Sequence, residues 1–192
     1  MLILARHGRT AVNAAGRLLG RDDPSLDEIG RAQAVAVADA VGPVDRVISS
    51  PLARCRETAA CFGLPVEVDD RWIELDYGDH EGVALADVPA EIWTAWRADA
   101  DYALPGGESL SSLGTRVRAA ADELMAGDVT GAAGMVVVVT HVSPVKAAVA
   151  WALGVGDEVA WRTFVAPASL TRIRLGSAGP TLVSFNETWH LR

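Results

Sequence analysis

Cysteine is nearly missing from this chain of 192 residues, and the two present, Cys55 and Cys61, lie six positions apart in what reads as one helix. That spacing suits neither a disulfide nor a metal-ligand pair, so the fold has to rest on its apolar core. No apolar window approaches the length of a membrane span, and the first apolar run stops at Arg6, too early for a secretory leader. A cytoplasmic protein with no membrane partner is expected. Basic residues are outnumbered, 17 against 25 acidic, for a net charge of -8, and they form no long cluster. That disfavours nucleic acid as a partner, although a local basic pocket can still capture one small anion. The chain also lacks a phosphate-binding P-loop, a dinucleotide-binding glycine fingerprint and a nucleophile elbow around Ser49, Ser50 or Ser169. No metal and no cofactor is expected.

Half of the residues are apolar, and the length suits one domain, residues 1–192, able to bury a substantial core. Leu2-Ile3-Leu4-Ala5 reads as a buried strand, followed by a glycine- and charge-rich loop through Pro24. Asp27 is an N-cap for an Ala/Val-rich helix to about Val41, which Gly42-Pro43 stops. Residues 44–49 form the next strand, 52–62 a helix and 66–68 a short strand. A helix at 110–125, a connection over 126–134, a β-branched central strand at 135–139 and a helix at 144–153 follow. Strands at 169–175 and 181–185 complete the pattern. Residues 71–109 break this rhythm, with Trp72, Trp93, Trp96 and Tyr102 set among acidic residues, glycines and prolines. They read as a cap insertion. The tryptophans form a small satellite core there, or a wall beside a ligand.

Two of the four histidines, His7 and His141, each follow a strongly apolar strand. If those strands are parallel neighbours, their carboxyl ends bring both rings to one pocket, where open α/β sheets hold their ligands. Arg6 adjoins His7, and Arg54 follows the strand that ends at Ser49-Ser50-Pro51-Leu52. Guanidinium forks at such an edge suit a phosphoryl group, while the alternative for each is a salt bridge with the abundant carboxylates. Taken in order, Arg6-His7-Gly8-Arg9-Thr10 with Asn13, Ser50-Pro51-Leu52-Ala53-Arg54 continuing to Thr58-Ala59, Glu74-Leu75-Asp76-Tyr77-Gly78, Glu81-Gly82, Pro105-Gly106-Gly107-Glu108-Ser109 and Thr140-His141 resemble the histidine phosphatase superfamily. The resemblance spans essentially the whole chain. It implies a three-layer α/β/α sandwich with a mostly parallel central sheet and a small cap over its C-terminal edge.

The resemblance further implies that His7 takes the phosphoryl group as a phosphohistidine while Arg6, Arg54 and His141 hold its oxygens. Asn13 supplies an amide on the phosphate side, and the backbone N–H of Val142 is open to a phosphate oxygen. A neutral ring nitrogen can attack phosphorus only if the other nitrogen holds the proton, and the backbone beside Gly8 is the candidate partner. Composition alone does not choose among Glu74, Asp76, Asp79 and Glu81 as proton donor. The family pattern selects Glu74, which protonates the leaving alcohol and then activates water; Glu81 reads mainly as a residue that positions the adjacent loop. Where the family commonly has paired glycines after its second histidine, this chain has Val142-Ser143, and Ser143 is read as the cap of the following helix. The expected activity is hydrolysis of a small phosphorylated metabolite. A phosphoglycerate mutase-like transferase and a noncatalytic phosphate-sensing module are the alternatives.

Overall fold

Side chains alternate across a strand, so a strand apolar at every position must be covered on both faces. Strands β1 (Leu2–Arg6) and β4 (Val136–Thr140) are apolar at every position but the last, and both are buried throughout. Leu2, Leu4, Val136 and Val138 enter one apolar cluster, and Ile3, Ala5, Val137 and Val139 enter another on the opposite face. At about 1.5–3 kcal/mol for each fully buried large aliphatic side chain, this two-sided burial outweighs any local preference of the segment. The computed structural model describes residues 1–129 and 134–192.

The sheet has six strands in the order β3-β2-β4-β1-β5-β6. Strands β2 (Arg46–Ser49) and β3 (Val66–Val68) run parallel to β4 and β1, whereas β5 (Leu170–Arg174) pairs antiparallel with both β1 and β6 (Thr181–Glu187). Helices α2 (Glu28–Val41) and α3 (Ala53–Ala60) cover one face through Val37, Cys55 and Ala59. Helices α5 (Leu110–Val129) and α6 (Val142–Leu153) cover the other through Leu113, Val117, Val145 and Ala148. This is the three-layer α/β/α sandwich, its central sheet mixed and mostly parallel. Asp27 caps α2 as expected, its Oδ1 accepting the Gly30 N–H at 2.7 Å.

Local departures from the expectation have physical causes. A short helix α1 (Ala11–Ala14) stands inside the expected loop, because Thr10 and Asn13 form a reciprocal capping box. Residues 90–98, assigned no element from sequence, form α4 (Ala90–Ala98), which buries Trp96. Helix α5 runs on to Val129, so the connection placed over 126–134 begins later, and its residues 130–133 lie outside the described residues. Helix α6 opens at Val142, two residues early, with Pro144 accommodated in its first turn. Ser143 is inside this helix, whose N-cap is His141.

Residues 71–109 lie between β3 and α5 in the chain. Their two glycine-rich stretches pack backbone to backbone: the Asp79 N–H donates to Pro105 O and the Glu108 N–H to Asp76 O, each at 2.9 Å. Gly78 makes this possible, since its φ is +52° and a Cβ there would strike the Pro105 carbonyl oxygen.

Candidate active site

The register of β1 against β4 pairs Arg6 with Thr140, so the next residue on each strand is a histidine. The two rings meet edge to face with centroids 5.1 Å apart. The Nδ1 of His7 lies 2.7 Å from the Gly8 carbonyl oxygen, which can only accept, so Nδ1 carries the proton and the Nε2 lone pair is free. Gly8 is pinned in turn: its N–H donates to Thr58 Oγ1 at 3.1 Å, and Thr58 donates to the Arg54 carbonyl at 2.8 Å. A Cβ on Gly8 would collide with the Gly30 carbonyl, so glycine here lets the start of α2 press against the loop.

Among the described residues, neither Arg6 nor Arg54 uses its guanidinium in the surface ion pair weighed from sequence. Arg6 Nη1 donates to Val165 O at 2.7 Å, and Arg54 Nη1 and Nη2 donate to Asp22 O and Gly20 O, also at 2.7 Å. Neutral carbonyls position these groups without cancelling their charge. The Nε of each is buried with no partner among the described residues. Burial pushes Arg6 down to about 10, which leaves it protonated at neutral pH.

Glu74 is 3% exposed and occupies the start of α6. Its Oε1 accepts the N–H groups of Leu75 at 2.8 Å and Ser143 at 3.1 Å, while Oε2 accepts that of Val142 at 3.1 Å. A helix start leaves backbone donors unpaired, and this carboxylate takes two of them. The Val142 N–H, expected to face a phosphoryl oxygen, is therefore engaged by Glu74, and the cap expected from Ser143 is supplied by Glu74 as well.

Arg6, His7, Asn13, Glu74 and Val142 line one cavity of about 310 Å³ at the carboxyl edge of the sheet. His141 and Arg54 lie behind it, both fully buried. His141 Nε2 is 2.7 Å from Ser50 Oγ and 3.3 Å from Cys55 Sγ. Asn13 Oδ1 accepts from Thr10 N at 3.2 Å and from Thr10 Oγ1 at 3.0 Å. Arg9 is held by Asp27 at 2.7 Å. Glu81 accepts the N–H groups of Gly20 at 2.6 Å and Arg21 at 3.0 Å, ordering the loop whose carbonyls grip Arg54.

Three cations were missed from sequence. Arg17 and Lys146, the chain's only lysine, line the same cavity. Arg116 on α5 chelates Glu108 with Nε and Nη2, each at 2.8 Å, and donates to the carbonyls of Arg71, Ile73 and Glu74. It thereby fixes the backbone that carries Glu74. The only signal for Arg17 and Lys146 was their distance along the chain from Asn13 and His141. Among the described residues, no three His, Cys, Asp or Glu side chains are grouped as a metal ion requires. No helix among them is long and apolar enough to cross a membrane.

Burial, reinforced by the charges of Arg6 and Arg54, holds His7 well below the ordinary imidazole value of 6.5 despite the Gly8 hydrogen bond. Burial, then Arg54, His7 and Arg6, does the same to His141. Both rings are neutral near pH 7. The unfolded chain takes up these protons as the pH drops below 6.5 while the folded chain does not, so stability is present above that value and is lost on acidification. The expected loss is about 1.4 kcal/mol per pH unit for each ring. Urea midpoints between pH 7.5 and 5 measure it, and a flat profile would show that the rings protonate freely in the fold. Glu108 acts in a lower window: burial raises it, but Arg116 and Arg21 hold it below its ordinary 4.5, so its contribution is lost only as the pH falls from there.

A sheet edge that joins a tautomer-fixed neutral imidazole, a second imidazole, two buried guanidiniums and a carboxylate defines a phosphoryl-handling α/β protein. Residues 2–188 match the histidine phosphatase superfamily (branch 1), and the chain belongs to that superfamily. A bifunctional protein of Mycobacterium tuberculosis is 35% identical across 99% of this chain, which spans 54% of that protein's length. Phosphoserine phosphatase 1 of Hydrogenobacter thermophilus is 32% identical across 99% of this chain and 93% of its own. A mycobacterial glucosyl-3-phosphoglycerate phosphatase, solved with VO3, superposes with a TM-score of 0.86 at 32% identity, covering 97% of this chain and 98% of the other. The chain thus spans about half the length of some of the relatives it matches.

Proposed function

We propose that this protein hydrolyses small phosphomonoesters through a phosphohistidine on His7. The observation that carries the reading is the 2.7 Å contact from His7 Nδ1 to the Gly8 carbonyl, which leaves Nε2 as a neutral nucleophile beside Arg6 and Glu74. Nε2 attacks phosphorus, the P–O bond to the alcohol breaks, and Glu74 gives its proton to the departing oxygen. Water then attacks the phosphohistidine, Glu74 takes its proton, and His7 is released with inorganic phosphate. Arg6 and Arg54, each with an unpartnered buried Nε, stabilise the charge on the transferring group. Asn13 adds its amide NH2, His141 supports the phosphoryl site from behind through its edge-to-face contact with His7, and Val142 lines the leaving-group side. Residues 71–109 serve as a cap on a single domain, contributing Glu74, Tyr77 and Leu85 to the cavity. Two free cysteines suit work in the reducing cytoplasm.

The relatives' names supply phosphatases, and the direct test is a phosphate-release screen across small phosphomonoesters with a phosphoglycerate isomerisation assay alongside. Phosphate release without isomerisation is expected. Isomerisation with little release would select the mutase alternative, and inertness toward every ester would leave the noncatalytic one.

A further inference from the structure

A second cavity of about 160 Å³ adjoins the catalytic one, sharing with it Leu18, Tyr77, Leu85, Val142 and Lys146 as walls. Beyond that shared neck it is lined by Trp93, Trp96, Trp161, Leu75, Leu110 and Ala160, and by Ser143, whose hydroxyl is paired with that of Tyr77. The tryptophans do pack on one another, Trp93 stacked on Trp96 at 5.7 Å and Trp161 edge-on to Trp96 at 5.4 Å. They nonetheless leave this space open. The space is a cleft open on one side rather than a sealed void, and its volume is close to the roughly 150 Å³ of apolar space that admits one benzene ring. The neck is on the leaving-group side, because Val142, whose N–H holds Glu74 Oε2, lines both cavities. Lys146 Nζ is tied at the neck to the Ala160 carbonyl at 2.7 Å. The buried indole N–H of Trp96 has no partner among the described residues. Beyond the single unpaired Trp96 N–H and the Lys146 ammonium at the neck, these walls offer the several hydroxyls of a polyol no replacement for their water, whereas a flat ring gains.

Resting on the phosphatase reading above, we infer that the preferred substrates are phosphate esters of alcohols carrying one flat apolar ring, seated against Trp93, Trp96 and Trp161 while the phosphoryl group lies at His7. This sets the chain apart from relatives named for phosphoserine and glucosyl-3-phosphoglycerate, whose alcohols are polar.

Phosphonates, which bind without being hydrolysed, separate this inference from catalysis. Calorimetry should show benzylphosphonate binding about tenfold or more tightly than ethylphosphonate or 3-phosphonopropionate. Ala160→Leu, which fills the ring's space, should bring the benzyl-to-ethyl ratio close to one. Trp93→Ala, which removes a partly exposed wall, should lower the ratio several-fold and serves if the first variant does not fold. Equal binding of the three probes, tighter binding of the carboxylate probe, or a ratio unmoved in both variants would overturn the inference. The phosphatase reading is judged separately by phosphate release from benzyl phosphate: no release with the benzyl preference intact would sink that reading alone.

Discussion

Replacing His7 with alanine is expected to lower phosphate release by about 10⁴-fold or more, the scale seen when a covalent nucleophile is removed. No neighbour can substitute for it. His141 is fully buried, and its Nε2 is already engaged by Ser50 Oγ at 2.7 Å. Cys55 is buried too, and burial pushes its thiol far above the ordinary range, so it offers no thiolate. A labelled phosphomonoester should leave a phosphoramidate on the intact enzyme, labile in acid and stable in base, and none on the His7→Ala variant. The variant should still fold, since the Gly8 loop keeps its bond to Thr58 Oγ1 and its packing on Gly30. It should also lose less stability between pH 6.5 and 5, because one of the two rings kept neutral by the fold is gone. Activity above about one per cent of the parent's, with the same label on the protein, would move the nucleophile elsewhere.

What could be read from the chain alone followed from local chemistry. Strands β1 and β4 declared themselves as unbroken apolar runs, and the histidine after each could be placed at one sheet edge before their register was known. The Arg6↔Thr140 pairing turned that conditional placement into a 5.1 Å contact. Residues whose role depends on a distant partner were opaque. Nothing near Ser143 announces that α6 is capped by a carboxylate 69 positions earlier, and nothing near Arg116 shows that it grips the backbone at 71–74. Helix α4 escaped notice because tryptophan-rich sequence among prolines and acidic residues reads as irregular, although Trp93 and Trp96 share one face at i, i+3. The aromatic cavity was invisible for a related reason: its walls come from the loop before α2, residues 75–96, α5, α6 and the turn after α6, which only the fold assembles.

Glu74→Gln should lower turnover of alkyl phosphates by about 10²–10⁴-fold while sparing the first step for esters whose alcohol needs no proton. Among the described residues Glu74 is the only carboxylate lining the cavity beside His7; Asp76 is turned to the Gly78 N–H and Glu81 to the Gly20 loop. Its oxygens are not equivalent. Oε1 accepts two backbone N–H groups and is filled, whereas Oε2 accepts one and retains a site for the proton that is handed over. Glutamine can keep the Oε1 pair with its carbonyl, but its NH2 then faces the Val142 N–H, which costs about 1–2 kcal/mol and shifts the start of α6 slightly. The size of the rate loss therefore does not identify the acid, but its dependence on the leaving group does. With 4-nitrophenyl phosphate the variant should release one equivalent of nitrophenol in a burst and then stall, because water lacks its base and the phosphohistidine accumulates. A uniform loss across leaving groups with no burst would mean that Glu74 positions α6 and that the proton comes from another group.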